Sequence, residues 1–198
     1  MLLDFLLPAP CVVCGRLPKP ICKKCQPVGS HGQDTIQGVK LYYAFRLSGD
    51  IEAVLKSYKD KSRIALERAL AVEFDKLLQR VAKLESFNCY ATPPINFSNF
   101  KRRGFTPIER LVRRTSLAQV KKIGLASNRK IADQRSLSKP ARFSNTSLAF
   151  GAKSGNGRVL LVDDVATSGA TLREMRRSLE AAGYEVVAYC VLARRFGL

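Results

Sequence analysis

The stretch "VLLVDDVATSGATLREM", Val159 to Met175, decides the fold. Four apolar residues, Val159 to Val162, read as a strand buried on both faces. Asp163 and Asp164 are expected to end it, and the run Ala166-Thr167-Ser168-Gly169-Ala170-Thr171 follows as a loop of small and hydroxyl side chains. Leu172, Met175, Leu179 and Ala182 then recur at helical steps, with Gly183 placed to close that helix as its C′ residue. Strand, two acids, turn and helix in that order set the acids at the carboxyl edge of a parallel sheet. Ligands of such sheets bind at that edge.

Working outward, strands and helices alternate. "VKLYYAFRL" (39–47) reads as a strand that opens the main domain, after a stretch, 27–38, with the composition of a linker. Residues 51–58 read as helix, followed by a basic turn at Lys59-Asp60-Lys61. Leu70, Phe74, Leu77, Leu78 and Val81 share one face of a helix over about residues 62–84. "FNCYATPPI" reads as a strand ended by Pro93-Pro94, and residues 95–105 as a polar, basic loop. Thr106 as N-cap, Pro107 at N1 and Glu109 at N3 spell a capping box, opening a helix that turns Ile108, Leu111, Val112 and Thr115 inward. The pattern predicts an α/β fold with a doubly wound parallel sheet over 38–198, behind a small module over 1–37.

Four of the six cysteines sit in "CVVCGRLPKPICKKC" (11–25) as two C-x-x-C pairs, Cys11 with Cys14 and Cys22 with Cys25. Such spacers let a tight turn aim both thiolates at one ion, and four thiolates suit tetrahedral Zn²⁺ in a closed, structural site. An iron–sulfur cluster and a redox dithiol are the rivals. Cys89 and Cys190 lie alone in apolar stretches and read as core residues. His31 falls in a loop and has no companion ligand nearby in sequence. No apolar run approaches the roughly 20 residues of a membrane span. "MLLDFLLPAP" lacks a basic n-region and is short for a signal peptide, so it is expected to pack as a strap on a cytoplasmic protein.

With 34 Lys and Arg against 16 Asp and Glu, the chain carries +18. That excess favours a polyanionic partner, either nucleic acid or a phosphorylated small molecule. The charge concentrates in residues 101–142, where thirteen cations face only Glu109 and Asp133. Lys101, Arg113, Arg114, Lys121 and Lys122 are the candidate backbone contacts for single-stranded DNA, with Phe97, Phe100, Phe105 and Phe143 for stacking. A merely solvated basic face is the alternative.

The loop after Asp164 is rich in hydroxyls, and a helix N-terminus favours an anion. Two carboxylates one step upstream repel phosphate but accept well from vicinal hydroxyls. A sugar phosphate satisfies both: ribose hydroxyls on Asp163 and Asp164, and the 5′-phosphate in the cradle Ala166–Thr171. No G-x-x-x-x-G-K-[ST] occurs, which excludes a Walker loop. An acidic magnesium site or a plain strand end are the competing readings.

These residues carry a resemblance. "VLLVDDVATSGAT" resembles the phosphoribosyl-pyrophosphate motif of type I phosphoribosyltransferases. With the four-Cys knuckle, "RRGF" at 102–105 and "QRSLSKPARFSNTSLAF" at 134–150, the whole chain resembles the ComF/GntX family. Gln134, Leu137, Arg142, Asn145 and Phe150 fit that family's later pattern. The resemblance implies a five-stranded core and a mobile loop at Lys101, Arg102 and Arg103 whose cations meet the pyrophosphate. It further implies phosphoribosyl pyrophosphate bound with Mg²⁺, and a role in natural transformation, handling single-stranded DNA beside a helicase-like competence partner. The alternative it carries is an active phosphoribosyltransferase with an unidentified acceptor. One departure stands out: Thr106-Pro107 occupy positions where the family commonly has Asn-Gln, so any polar ligand contact those residues make is missing.

Overall fold

In the computed structural model the described residues are 9–127 and 149–196. The N-terminal strap and the positions Gln134, Leu137, Arg142, Phe143 and Asn145 lie outside them. A six-stranded sheet forms the centre, in the order β1-β2-β8-β7-β3-β4. Its strands are β1 (Gly32–Ile36), β2 (Val39–Arg46), β3 (Cys89–Ala91), β4 (Lys121–Lys122), β7 (Arg158–Ala166) and β8 (Glu185–Arg194). β2, β8, β7, β3 and β4 run parallel, which gives the expected five-stranded core. β1 adds an antiparallel edge through a tight hairpin to β2. The stretch with linker composition therefore contains a strand: Ile36 is buried and the β2 ladder holds the segment in place. Two further strands, β5 (Leu125–Ser127) and β6 (Phe150–Ala152), pair antiparallel apart from the sheet.

Helices cover both faces. On one side lie α1 (Gly49–Asp60), α2 (Glu67–Leu84), the short α3 (Phe97–Arg103) and α4 (Pro107–Val112); on the other lies α5 (Ala170–Ala181). The apolar run of β7 divides between two cores. Leu160 and Val162 join Val54, Tyr58, Phe74, Leu77 and Leu111 in one cluster. Val159 and Leu161 join Leu172, Met175 and Leu179 in the other. That alternation is why four consecutive apolar residues were needed, since every second side chain faces a different helical layer. Cys89 and Cys190 are buried core residues, as read from their surroundings.

Several local expectations are corrected. β7 does not stop at the acids: it runs on to Ala166, because its pairing with β8 continues through Asp163–Val191 and Val165–Ala193. Residues 97–103, expected as loop, form α3, capped by the Asn96 side chain accepting from the Asn99 amide at 3.1 Å and closed by Gly104 at φ +76°. Helix α1 runs through Asp60, so Lys59 and Asp60 are helical. The long helix begins with a 3-10 turn, Ile64–Leu66, before Glu67. Thr106 is the N-cap of α4 with Pro107 at N1, but the capping box does not form. Glu109 is drawn away by the Thr92 hydroxyl and by Lys122 Nζ at 2.6 Å. The end of α5 is as read: the Gly183 amide donates to Glu180 O and the Tyr184 amide to Leu179 O, a Schellman closure with Gly183 at φ +96°.

Candidate ribose-phosphate cleft and four-cysteine site

The carboxyl ends of β7 and β3 open into a cleft of about 270 Å³. Asp163, Asp164 and Thr171 form one wall, and Lys59, Pro93, Pro94, Asn96, Asn99, Phe100, Arg103 and the run Phe105 to Ile108 form the rest. Asp163 accepts from the Asp164 amide at 2.7 Å. Burial first, and the charge of Asp164 next, push the Asp163 carboxyl up to about 8, against the pull of that amide and of Lys59. Lys59 Nζ lies 2.9 Å from Asp164 Oδ2, with the two side chains 20% and 17% exposed. This lysine is a site residue that sequence reading placed in a surface turn. The signal that could have found it is its place just after Tyr58, on the face of α1 that packs over β7.

The loop between β7 and α5 is held from behind by two arginines. Arg194 on β8 donates to the Thr167 carbonyl, and Arg173 Nη1 donates to the Ser168 carbonyl at 2.6 Å. Fixing those carbonyls turns the following peptide N–H groups the other way, toward the front of a helix N-terminus, whose first-turn amides lack intrahelical acceptors. Ala170 N donates to Ser168 Oγ at 3.4 Å. Thr167, Ser168 and Thr171 are exposed, while Ala166 and Gly169 are buried. Gly169 sits at φ +75°, and a Cβ there would lie 2.7 Å from Ile36 Cδ1 of β1. Only glycine fits both demands. Of the predicted cradle, Thr171 lines the cleft itself, and Thr167 to Gly169 form the turn beside it, between Ala166 at the end of β7 and Ala170 at the start of α5.

The predicted basic residues divide. Arg103 lines the cleft and donates to Asp60 at 2.9 Å; Arg102 reaches the same carboxylate at 3.3 Å but is mostly exposed. Glu67, 3% exposed, is gripped by both Arg110 and Arg114. Lys122 is bound to Glu109. Lys101, Arg113 and Lys121 meet no carboxylate among the described residues. Five of the thirteen cations lie outside the described residues; of the other eight, five share the carboxylates of Asp60, Glu67 and Glu109 and three meet none, so this face stays net positive. Asp60 and Glu67, brought in by α1 and α2, are partners that counting along the segment could not include. Two neighbouring arginines thus acquire different jobs. Arg114→Ala is expected to cost about 2 kcal/mol in denaturant unfolding, since buried Glu67 loses one of two partners. Arg113→Ala is expected to stay within about 0.5 kcal/mol. Equal effects would show that the Glu67 fork contributes nothing.

At the N-terminus the Sγ atoms of Cys11, Cys14, Cys22 and Cys25 all lie within 4.8 Å of one another, with Cys14 and Cys22 at 3.8 Å. Zn–S bonds of about 2.3 Å arranged tetrahedrally put sulfurs about 3.8 Å apart, so the four side chains fit a zinc ion. All four are free thiols. Burial opposes the Cys11 thiolate, but the amides of Cys14, Cys22 and Val13 bring it down to about 6. The Cys25 amide lowers Cys22, and the neighbouring sulfurs drive Cys25 up to about 12. His31 lies away from the cluster, 3.6 Å from Glu73 through Nε2.

Comparison with known proteins agrees with this geometry. Residues 100–196 match the family model described as phosphoribosyl transferase domain. Fold and match together define an α/β protein that carries a phosphoribosyltransferase domain over that segment. The match spans α3 to β8 and leaves out α1 with Lys59 and the four cysteines. No curated protein matches the chain. Among solved structures, UMP synthase of Leishmania donovani is similar at 22% identity with a TM-score of 0.40, over 68% of this chain and 24% of that one. The chain thus spans about a quarter of that enzyme's length. Adenine phosphoribosyltransferase of Thermoanaerobacter pseudethanolicus is similar at 15% identity with a TM-score of 0.40, over 83% of this chain and 95% of that one. Scores at this level add nothing to the fold described above. No helix among the described residues is long and apolar enough to cross a membrane.

Proposed function

We propose that the cleft binds phosphoribosyl pyrophosphate with Mg²⁺, or a ribose 5-phosphate group, as a member of the ComF/GntX family would. The observation that carries this reading is the convergence of Asp163, Asp164 and Thr171 with Lys59 and Arg103 around one cavity. The carboxylates accept from the ribose hydroxyls, and the 166–171 turn takes the 5′-phosphate. The cations across the cleft face the diphosphate, and the bound metal neutralises its charge. The four-Cys knuckle joined to such a domain supports the family assignment. The wider role is accessory handling of single-stranded DNA in natural transformation, with a helicase-like partner, in the cytoplasm. It rests on the +18 charge and the resemblance.

A second reading, an active transferase, is favoured by Lys59, 2.9 Å from Asp164, and Arg103 lining the same cleft, two cations able to turn to a leaving diphosphate. Calorimetric titration with phosphoribosyl pyrophosphate and Mg²⁺, followed by assay of pyrophosphate release, separates the two. Saturable binding without release supports a binding protein. Release in the presence of a nucleobase panel supports the transferase. No binding at millimolar ligand sinks both.

A further inference from the structure

Strand β1 is the antiparallel addition to the five-stranded core and lies outside the segment matched to the family, yet two of its side chains reach the turn between β7 and α5. Asp34 and Ile36 are two residues apart and so share one face of the strand. Asp34 Oδ2 accepts from Arg194 Nε at 2.9 Å, with the two side chains 29% and 15% exposed. Arg194 Nη1 then donates to the Thr167 carbonyl, and to the Ala166 carbonyl at 3.4 Å. The guanidinium carbon lies 5.6 Å from the centre of the Phe196 ring, which covers one of its faces. Ile36 fills the space beside Gly169, the residue that turns the chain into α5. The strand itself is fixed in place: Asp34 pairs with Leu41 in the β2 ladder, and Arg80 of α2 donates to the His31 carbonyl at 2.7 Å.

We propose that β1 belongs to the ribose-phosphate site, with Asp34 as a positioning residue that acts through Arg194 on the turn that takes the 5′-phosphate. The proposal rests on the ribose-phosphate reading of the cleft. A guanidinium offers donors in a fixed planar fork, so an acceptor on Nε sets the direction of its other nitrogens. With Asp34 on Nε, Phe196 against one face and two carbonyls on Nη1, Arg194 is left with one orientation. Each pinned carbonyl sends the N–H of its own planar peptide unit, those of Thr167 and Ser168, the opposite way, toward the front of the turn. Support of this kind behind a site decides how closely its donors are held to the geometry a ligand needs. Charge alone points in the other direction. A carboxylate near an anion site repels the anion, so on charge alone Asp34→Asn would strengthen phosphate binding. Loss of a residue that orients Arg194 weakens it.

The test titrates ribose 5-phosphate, and separately pyrophosphate with Mg²⁺, into the full zinc-loaded chain by calorimetry. Asp34→Asn is expected to weaken ribose 5-phosphate about tenfold, the scale of one charge-assisted hydrogen bond made neutral, and to leave pyrophosphate affinity unchanged. Asp34→Glu keeps the carboxylate and is expected to recover most of the loss. Arg194→Lys, whose single ammonium cannot span Asp34 and the carbonyls, is expected to lose at least as much as Asp34→Asn. Adding Asp34→Asn to Arg194→Lys is expected to cost nothing further, because a residue that acts through Arg194 has no effect without it. Glu185→Gln breaks the pair with Arg158 at the opposite end of β8 and is expected to bind as wild type does. The proposal is overturned if Asp34→Asn binds ribose 5-phosphate as tightly as wild type or more tightly, or if pyrophosphate is lost in step with it. It is also overturned if Asp34→Glu does no better than Asp34→Asn, or if the Asp34 and Arg194 losses add. A wild type that ignores ribose 5-phosphate sinks the ribose-phosphate reading instead, and the turn is then read directly in the unliganded chain. Amide NMR relaxation is expected to show residues 167–170 more mobile in Asp34→Asn than in wild type or Asp34→Glu. Identical relaxation in all three overturns the positioning role by itself.

Discussion

The double variant Asp163→Asn, Asp164→Asn is expected to bind phosphoribosyl pyrophosphate about a hundredfold more weakly than wild type, and the single variant Asp163→Asn to be the more stable protein. The affinity loss follows from two charge-assisted hydrogen bonds, each worth about 1.5–3 kcal/mol, becoming neutral ones. The stability gain follows from the environment of Asp163. Its carboxyl, raised to about 8 by burial and by Asp164, is held near its ordinary value in the unfolded chain. Below about pH 4 both states bind the proton, and stability is unaffected. Between about 4 and about 8 the folded protein keeps a proton that the unfolded chain has released, so stability falls as pH rises. Asn mimics the protonated form throughout. Its advantage therefore grows across that window, reaching on the order of 5 °C in thermal midpoint at pH 8 and little at pH 4. Ligand affinity of the wild type is expected to rise over the same range as Asp163 ionises. A double variant with unchanged affinity, measured by calorimetry at pH 8, reduces the acids to a strand feature. A midpoint difference that is flat with pH rules out burial as the cause.

The same residues show what sequence does and does not reveal. Local and periodic signals were readable: the doubly buried run of β7, the α5 stripe closed by Gly183, and the two C-x-x-C pairs. They depend on neighbours in the chain, and the structure places them as expected. The errors concern partners supplied from afar. Asp163 and Asp164 have poor strand propensity, yet the β8 ladder carries β7 through them. Glu109 has the capping-box position, but Thr92 and Lys122 reach it first. Arg113 and Arg114 look alike until α2 brings Glu67 to one of them. Lys59 looks like part of a surface turn until α1 sets it against Asp164. In each case a tertiary contact outcompetes a local preference worth about a kcal/mol or less.

Substituting Cys22 and Cys25 with Ser is expected to take the metal content from one zinc per chain to none, and to unfold residues 11–25 while the sheet survives. The segment is too short to stand on burial: Val12, Val13 and Ile21 pack against the main core only partly. A few backbone bonds, such as Cys11 N to Arg16 O at 2.8 Å and Val12 N to Pro20 O at 3.0 Å, complete its own framework. Of the four sulfurs within 4.8 Å, Cys11 and Cys22 are eased toward the thiolate, while their neighbours oppose the ionisation of Cys25. A divalent cation reverses that opposition, and its binding energy, on the order of 10 kcal/mol or more in zinc-finger peptides, becomes folding energy of the knuckle. The sheet does not share the loss, because both of its clusters are built from residues beyond Gln33. Limited proteolysis of the variant should then cut within 11–25 and leave a stable fragment that still binds phosphoribosyl pyrophosphate. Elemental analysis of protein expressed with both zinc and iron available identifies the metal. Iron in place of zinc, or a protease-resistant knuckle without metal, overturns the structural-zinc assignment.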